Sequence, residues 1–113
     1  MIYLASPYSD KDKRVVVSRY NEVLEFCANR IKEGHIVFSP IVHCHVMAQR
    51  FEMPGNHLFW WKYDTSMIDI ADEVWILCLP YWQMSIGVGK EIAYAEKIGK
   101  KVRYFNPLGA EIS

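Results

Sequence analysis

The sequence lacks an excess of charge of either sign, and it lacks long apolar runs. Its 113 residues carry 13 Lys plus Arg and 13 Asp plus Glu, so the formal net charge is zero. A chain without a broad positive field is poorly suited to polymeric nucleic acid or anionic lipid, and a small molecule is the expected partner. No stretch approaches the ~20 apolar residues that a membrane span requires, and the first residues lack the basic start and apolar core of a secretory signal. We therefore expect a soluble, cytoplasmic protein with no membrane partner.

Cysteine pairs, glycine-rich motifs and metal-binding motifs are also sparse. The three cysteines, Cys27, Cys44 and Cys78, are widely spaced, which argues against a disulfide framework or a paired-cysteine metal site. No Gly-Lys-Ser/Thr phosphate loop and no complete GxGxxG motif occurs, so ATP and NAD are not favoured. His43 and His45 would point to the same side of an extended segment, but a third metal ligand does not follow at a typical spacing. We expect no metal and no cofactor.

Apolar and aromatic residues are what the sequence has in quantity. Hydrophobic residues make up 51% of the chain and aromatic residues 14%, with four Trp and seven Tyr, against 23% charged residues. This composition is typical of a compact globule, and the length fits one domain over residues 1–113. Aromatic rings in this number line a pocket or a subunit interface, so we also expect a homodimer or a larger homo-oligomer.

Short apolar runs alternate along the chain with longer segments of helical periodicity. The apolar runs predict four strands, at residues 2–5, 36–39, 73–79 and 101–105. Apolar positions spaced three and four apart predict helices at residues 10–33, 57–71 and 85–98, with Asn56 as the cap of the second. Residues 42–55 have no clean period, and we expect a loop with at most one helical turn there.

This alternation predicts an α/β fold. Strands joined by helices make right-handed crossovers and therefore a parallel sheet with helices on both faces. We expect a single doubly wound, Rossmann-like domain with a four-stranded parallel sheet of order 2-1-3-4. The order reverses direction between the first and third strands, and ligands bind beyond the carboxyl ends of the strands at such a point. Residues 6–10 and 80–91 are the segments expected there.

The segment Ser-Ile-Gly-Val-Gly-Lys-Glu, residues 85–91, lies where the third strand gives way to a helix. The hydroxyl of Ser85 and the amides near Gly87 and Gly89 can converge on an anion at the positive end of that helix. The alternative is that Ser85 is an ordinary helix cap and that the glycines only allow close packing of the helix on the sheet.

Two carboxylates lie in unusually uncharged surroundings. Glu91 follows the glycines by one helical turn, and Asp64 lies within an aromatic and apolar stripe, formed by Trp60, Trp61, Met67 and Ile68 at spacings of three and four. Burying such a carboxylate without a partner costs several kcal/mol, so a carboxylate in these surroundings is a candidate functional residue. The structural alternative is that backbone amides or an arginine satisfy Asp64.

Two tyrosines, Tyr3 and Tyr8, flank the end of the first strand. A phenol there can reach a carboxylate or a ligand, although packing in a small core is the commoner role of tyrosine. Cys44 has no basic neighbour and is better explained as a small packed residue than as a nucleophile.

Taken together, Tyr3, Asp64 and residues 85–95 resemble the nucleoside 2-deoxyribosyltransferase superfamily over most of the chain. The Ser-x-Gly-x-Gly-x-Glu form is similar to that of the nucleoside 5′-monophosphate N-hydrolases, whereas transferases of free nucleosides tend to carry Asp at the position of Ser85. The opening Tyr-Leu-Ala-Ser-Pro-Tyr is similar to a small branch of bacterial and phage proteins.

The resemblance implies a role for each matching residue. It implies that Glu91 attacks the anomeric carbon, that Tyr3 positions Glu91, and that Asp64 contacts the sugar and the base. It also implies that Ser85, with the amides around Gly87 and Gly89, binds the 5′-phosphate.

Other residues are expected to contact the substrate because of their type and place. Ser6 and Tyr8 follow the first strand, and the rings of Trp60, Trp61 or Tyr81 can stack on a nucleobase. The hydrolases usually have a loop with Gly and Arg after the first strand, where this sequence has Pro-Tyr-Ser-Asp, so Lys90 or Arg14 is expected to supply the counter-charge.

The expected function is therefore enzymatic. It is hydrolysis of the N-glycosidic bond of a ribo- or deoxyribonucleoside 5′-monophosphate through a glutamyl–sugar intermediate, which releases the free base and the sugar 5-phosphate. One alternative is a nucleoside 2-deoxyribosyltransferase that exchanges bases. The other is a non-catalytic module that binds a nucleotide.

Overall fold

The computed structural model describes residues 1–54 and 57–112, except for the side chain of residue 57. The predicted cap Asn56 lies outside the described residues. The elements along the chain are β1 (Ile2–Ala5), α1 (Lys13–Lys32), β2 (Val37–Phe38), α2 (Pro40–Arg50), α3 (His57–Ile70), β3 (Glu73–Leu77), α4 (Ile86–Lys97), β4 (Lys101–Phe105) and β5 (Glu111–Ile112), with a 3₁₀ turn at Trp82–Met84 before α4. Among these, no helix is long and apolar enough to cross a membrane.

The strands form one mixed, mostly parallel sheet in the order β2-β1-β3-β4-β5. The predicted order is confirmed for the first four strands, which are parallel to one another. The sheet is nevertheless not the four-stranded, wholly parallel sheet that we expected, because β5 adds an antiparallel edge to β4. The chain turns back there because the Asn106 side chain accepts hydrogen bonds from the amides of Leu108 and Ala110, both at 3.0 Å. Gly109 completes the turn with a φ of +93°.

The prediction of a loop with at most one helical turn over residues 42–55 is wrong in its first part, because the helix α2 continues to Arg50. The hydroxyl of Ser39 accepts a hydrogen bond from the amide of Val42 at 3.2 Å, and Pro40 occupies the first turn. Proline is favoured at this position because its missing N–H has no partner in the helix and its φ is already helical. The Ser-Pro pair that we interpreted as the end of a strand is therefore also the start of a helix.

Helices cover both faces of the sheet, as expected for a doubly wound fold. On one face, the buried Tyr3 and Val74 of the sheet pack with Ile68 of α3 and Val88 of α4. On the other face, Leu4 and Trp75 belong to a second core cluster, which includes Val23 and Phe26 of α1. Consecutive strand residues point to opposite faces, so Tyr3 is directed towards α3 and α4.

Candidate active site

A cavity of about 540 Å³ opens at the carboxyl ends of β1 and β3, where the strand order reverses. Its volume is in the range of small-molecule sites, and its position is the one expected for a ligand in an open α/β sheet. The predicted site residues that line it are Ser6, Tyr8, Trp60, Asp64, Ser85, Gly87 and Glu91. The structure thus brings together residues from the loop after β1, from α3 and from the start of α4 that are far apart in sequence.

The side chain of Glu91 is fixed by a hydrogen bond from Tyr3, which lies behind the cavity wall. The phenol of Tyr3 donates a hydrogen bond to Oε2 of Glu91, and the exposed fractions of the two residues are 0% and 6%. Val88 and Ala95, one turn on either side of Glu91, are also buried, so this face of α4 is directed at the sheet. Tyr3 is not part of the cavity wall but fixes the carboxylate that is.

Asp64 projects from α3 into the same cavity. Asp64 lies on the same face of α3 as Ile68, which packs in the core one turn later. Only 7% of Asp64 is exposed. Among the described residues, no group hydrogen-bonds to Oδ1 of Asp64. The structural alternative of a satisfied carboxylate is therefore not met at this oxygen. The hydroxyl of Ser6, also on the cavity wall, has no partner in the described part of the chain either.

Burial makes both carboxyl groups hold their protons to unusually high pH. It raises the pKa of Asp64 to about 7. It also raises the pKa of Glu91 to about 8, where the hydrogen bond from Tyr3 acts to lower the value and the charge of Asp64 acts to raise it. Because one charge acts on the other group, the two titrate as a pair. Between about pH 7 and 8, the pair therefore holds about one proton. The higher pKa of Glu91 favours this proton on Glu91, whereas the Tyr3 hydrogen bond acts in the opposite direction and favours the negative charge there.

The amino-terminal end of α4 forms a polar wall of the cavity. The hydroxyl of Ser85 accepts a hydrogen bond from the amide of Val88 at 3.2 Å, so Ser85 does cap the helix. Its proton can still be donated to a ligand. The amides of Ile86 and Gly87 belong to the first turn, where helix geometry provides no acceptor. Gly89 does not line the cavity, and its amide donates to the carbonyl of Ser85 within the helix, at 3.0 Å.

The two cations proposed as counter-charges lie in different places. Lys90 lines the cavity, one residue before Glu91. Arg14 instead borders a separate surface groove and is paired with Asp12 at 2.9 Å. Of the two, Lys90 is the one that can reach an anion in the cavity.

A family model matches residues 1–106, and its description is a domain of unknown function, DUF1937. The chain belongs to the DUF1937 family. The matched residues include every residue of the cavity, so the site lies within the domain that defines the family. No curated protein matches the chain.

The three aromatic residues that we considered for stacking differ in position in this DUF1937 domain. Trp60 lines the cavity, and its indole N–H donates to the carbonyl of Pro54 at 2.7 Å. Trp61 packs edge-on against Tyr94, with ring centroids 5.8 Å apart. Tyr81 is 73% exposed and borders the separate surface groove. Trp60 is therefore the candidate for stacking.

The expectation that His43 and His45 point to the same side is wrong because both lie on a helix, not on an extended segment. Residues two apart on a helix point in nearly opposite directions. His43 is exposed and stacks on Tyr63, whereas His45 lines the cavity. Within residues 1–54 and 57–112, no three His, Cys, Asp or Glu side chains form a group that could hold a metal ion.

The helix α2 contributes to the site, which was not predicted from the sequence. Ile41, His45 and Ala48 line the cavity at helical spacings of four and three. His45 Nδ1 lies 2.5 Å from the phenol oxygen of Tyr8. The helical period of these residues was a usable signal, and the Ser-Pro start would have indicated it. Cys44 also lines the cavity, and burial raises the pKa of its thiol to about 11, which keeps it in the unreactive neutral form.

Proposed function

We propose that the protein hydrolyses the N-glycosidic bond of a nucleoside 5′-monophosphate and releases the free base and the sugar 5-phosphate. The observation that carries the proposal is the pair of buried acids in one cavity, Glu91 held by Tyr3 and Asp64 with Oδ1 unpartnered. Most enzymes that cleave a glycosidic bond use two carboxyl groups that flank it. A site that only bound a nucleotide would be weakened by two acids beside an anionic ligand.

The first step of the proposed reaction forms a covalent intermediate. The carboxylate of Glu91 attacks the anomeric carbon, the bond between that carbon and the base nitrogen breaks, and its electron pair leaves with the base. Asp64 gives its proton to the departing base, which leaves as a neutral molecule. The sugar 5-phosphate is then an ester of Glu91.

Water completes the proposed reaction in a second step. The water oxygen bonds to the anomeric carbon, the ester bond to Glu91 breaks, and the carboxylate of Glu91 is regenerated. Asp64, now ionised, takes the proton from the water and returns to its starting form. The same residue thus acts first as acid and then as base, as in retaining glycosidases.

The proposed roles place the one proton of the pair on Asp64, against the order of the two pKa values, about 7 for Asp64 and about 8 for Glu91, so the Tyr3 hydrogen bond and the ligand must favour this arrangement. The nucleophile must be ionised and the acid must be protonated, so the pair needs one proton. The hydrogen bond from Tyr3 stabilises the ionised form of Glu91. Asp64 has no donor at Oδ1, and burial favours its neutral form.

The polar wall at α4 supports a 5′-phosphate as the recognised group. The amides of Ile86 and Gly87, the hydroxyl of Ser85 and the ammonium of Lys90 all belong to that wall. The hydroxyl of Ser6, a residue of the cavity wall, is buried and has no partner among the described residues, so it is a further donor close to this site. An anion at the start of a helix is favoured by both the free amides and the helix dipole.

A base-exchanging deoxyribosyltransferase is the second candidate, because it uses the same first step and differs only in the acceptor. The residue that favours hydrolysis of nucleotides is Ser85. Transferases of the superfamily that the sequence resembles tend to carry Asp there, and an Asp would repel a phosphate. Hydrolysis and exchange are separated by adding a free base to the reaction.

A panel of ribo- and deoxyribonucleoside 5′-monophosphates and the matching nucleosides tests the proposal. Free base and sugar phosphate are measured by chromatography, with and without a second base. We expect cleavage of nucleotides by water and near-complete loss of turnover in Glu91→Gln. The matched control is Glu96→Gln, since Glu96 is an exposed glutamate on the same helix. Wild-type rates in a folded Glu91→Gln variant would contradict the mechanism, and efficient base exchange would favour the transferase.

A further inference from the structure

A second group of side chains in the cavity has no role in the proposed chemistry. The phenol of Tyr8 and Nδ1 of His45 are 2.5 Å apart, and the His45 ring stacks on Tyr20 with centroids separated by 4.0 Å. Tyr8 and His45 both line the cavity. An imidazole held by a stack on its face and a hydrogen bond at its edge has a fixed orientation, which is more than packing requires.

The direction of the hydrogen bond follows from the acidities of the two groups. A phenol is a stronger donor than a neutral imidazole N–H, and an imidazole nitrogen is a stronger acceptor than a phenol oxygen, so at 2.5 Å the proton of Tyr8 is directed to Nδ1 of His45. The side chain of Gln49 lowers the pKa of Tyr8, as a donor to the phenol oxygen does, which agrees with this direction. Burial also lowers the pKa of His45, which favours the neutral ring that can accept this proton.

A neutral histidine that accepts at Nδ1 carries its proton on Nε2. Tyr8 and Gln49 therefore fix the tautomer as well as the orientation of His45. The edge that remains for a ligand is an N–H donor and not an acceptor.

His45 and the polar wall border the cavity from opposite sides of β1. The reason is that α2 follows β2 and α4 follows β3, and these two strands flank β1 in the sheet. Cys44 is an electrostatic neighbour of both Tyr3 and Tyr8, so the acidic pair and the Tyr8–His45 pair belong to the same cavity. A nucleotide is ordered as phosphate, sugar and base, so a phosphate at α4 and an anomeric carbon at Glu91 direct the base towards α2.

We propose that His45, whose orientation and tautomer are fixed by Tyr8, donates a hydrogen bond from Nε2 to the edge of the nucleobase. It thereby selects bases that present a carbonyl oxygen at this edge over bases that present an amino group. This inference rests on the proposed placement of the nucleotide. The substrate class is then narrowed to oxo-bearing bases. An amino group would meet the Nε2–H with a second donor, which leaves two buried donors unpaired.

Matched pairs of nucleotides test the selection. Deoxyinosine and deoxyadenosine 5′-monophosphates differ at the 6-oxo and 6-amino position, and deoxyuridine and deoxycytidine 5′-monophosphates differ in the same way at position 4. For the wild type, we expect kcat/KM to favour the oxo member of at least one pair by about tenfold or more, the usual effect of a mismatched buried hydrogen bond. His45→Phe keeps the ring stack without the donor, and Tyr8→Phe frees the tautomer. In both variants the preference should fall to within about threefold.

The control variant is Tyr94→Phe, which also removes a phenol that is hydrogen-bonded, to Asp69, but lies outside the cavity wall. It should keep the wild-type preference. Binding of the same pairs to Glu91→Gln, measured by calorimetry, separates the inference from the reaction. If nothing is cleaved but oxo nucleotides bind better in a His45-dependent way, the inference stands and the proposed reaction fails.

The opposite results are equally decisive. If nucleotides are cleaved with no oxo preference, or with one that His45→Phe leaves unchanged, the inference is wrong and the proposed reaction stands. If no nucleotide of either pair is bound or cleaved, and the matching ribonucleotides are not bound or cleaved either, both are wrong.

Discussion

Tyr3, on the first strand, donates its phenol hydrogen bond to Glu91, which lies 88 positions later on α4. Both residues are buried, and Tyr3 is fully so. The bond joins the sheet to the helix whose first turn forms the polar wall of the cavity. The placement of Glu91 is therefore determined by the fold and not by the local chain alone.

Replacing Tyr3 by Phe should lower turnover and leave substrate binding nearly unchanged. We expect kcat to fall by about 10- to 100-fold, as for the loss of a hydrogen bond to a charged group, with a small change in KM. Because the Tyr3 hydrogen bond lowers the pKa of Glu91, its loss should also move the acidic limb of the pH–rate profile to higher pH. A steady-state profile measures both effects.

Tyr94→Phe serves here as the comparison and should change neither quantity. If Tyr3→Phe has the kcat and the acidic limb of the wild type, Tyr3 does not position the reacting carboxylate.

The pH dependence of activity should be bell-shaped, with its maximum between about pH 7 and 8, set by the raised pKa values of Asp64 and Glu91. Below this range the pair gains a second proton and Glu91 loses its charge. Above it, the pair loses its last proton and Asp64 can no longer act as an acid. Asp64→Asn should be slow and should lack the alkaline limb. A profile with wild-type height and shape in this variant would remove Asp64 from the mechanism.

Stability should depend on the same two groups in the absence of any substrate. Their pKa values are raised in the folded state, so the folded protein binds more protons than the unfolded chain above about pH 4. The stability contributed by the neutral forms is complete at lower pH and is lost as pH rises through about 7 and 8. Asp64→Asn cannot ionise and should lose roughly 1 to 1.5 kcal/mol less stability than the wild type between pH 6 and 9.

Urea unfolding at several pH values measures this difference, with Glu96→Gln as the exposed control. Parallel stability curves for Asp64→Asn and the wild type would mean that Asp64 is not a buried ionisable group.

The overall architecture could be predicted because it depends on local patterns. The first three strands are short and largely apolar, the fourth has Val, Tyr and Phe among its five residues, and the helices between the strands impose parallel pairing and the strand order. The fifth strand, Glu111–Ile112, has two residues and no pattern of its own. It forms because the Asn106 side chain holds the turn before it, and such a contact is not visible as periodicity.

The candidate site could be predicted only in part for a similar reason. The uncharged surroundings of Asp64 and Glu91, and their places near the reversal of strand order, were sufficient to single them out. The contact between Tyr8 and His45 joins a loop to a helix across 37 positions, and no spacing in the sequence indicates it. The family resemblance contributed roles for the residues, and the structure contributed their proximity.

Ser85 has two separable roles, because its hydroxyl caps α4 and also lines the cavity. Ser85→Ala should lose about 1 kcal/mol of folding stability with the cap. It should also lose roughly 1.5 to 3 kcal/mol of the preference for nucleotides over nucleosides, the value of a hydrogen bond to a charged group. Ser85→Asp should keep the cap and lose more of the preference, because Asp caps helices well but repels a phosphate.

Unfolding curves and the ratio of kcat/KM for nucleotide and nucleoside measure the two roles in the same variants. A preference that survives in Ser85→Asp would mean that the phosphate is bound elsewhere.

The covalent role of Glu91 is tested most directly by measuring the mass of the protein during turnover. A reaction of enzyme and nucleoside 5′-monophosphate is quenched with acid within the first turnovers. The masses of the intact protein and of its peptides are then measured by mass spectrometry. If Glu91 forms the covalent intermediate, a fraction of the protein molecules is heavier by one sugar phosphate residue. The added mass lies on the peptide that contains Glu91, and it is absent from Glu91→Gln. Free base released at the full rate with no such species, even for a substrate whose second step is slowed, would contradict the covalent role of Glu91.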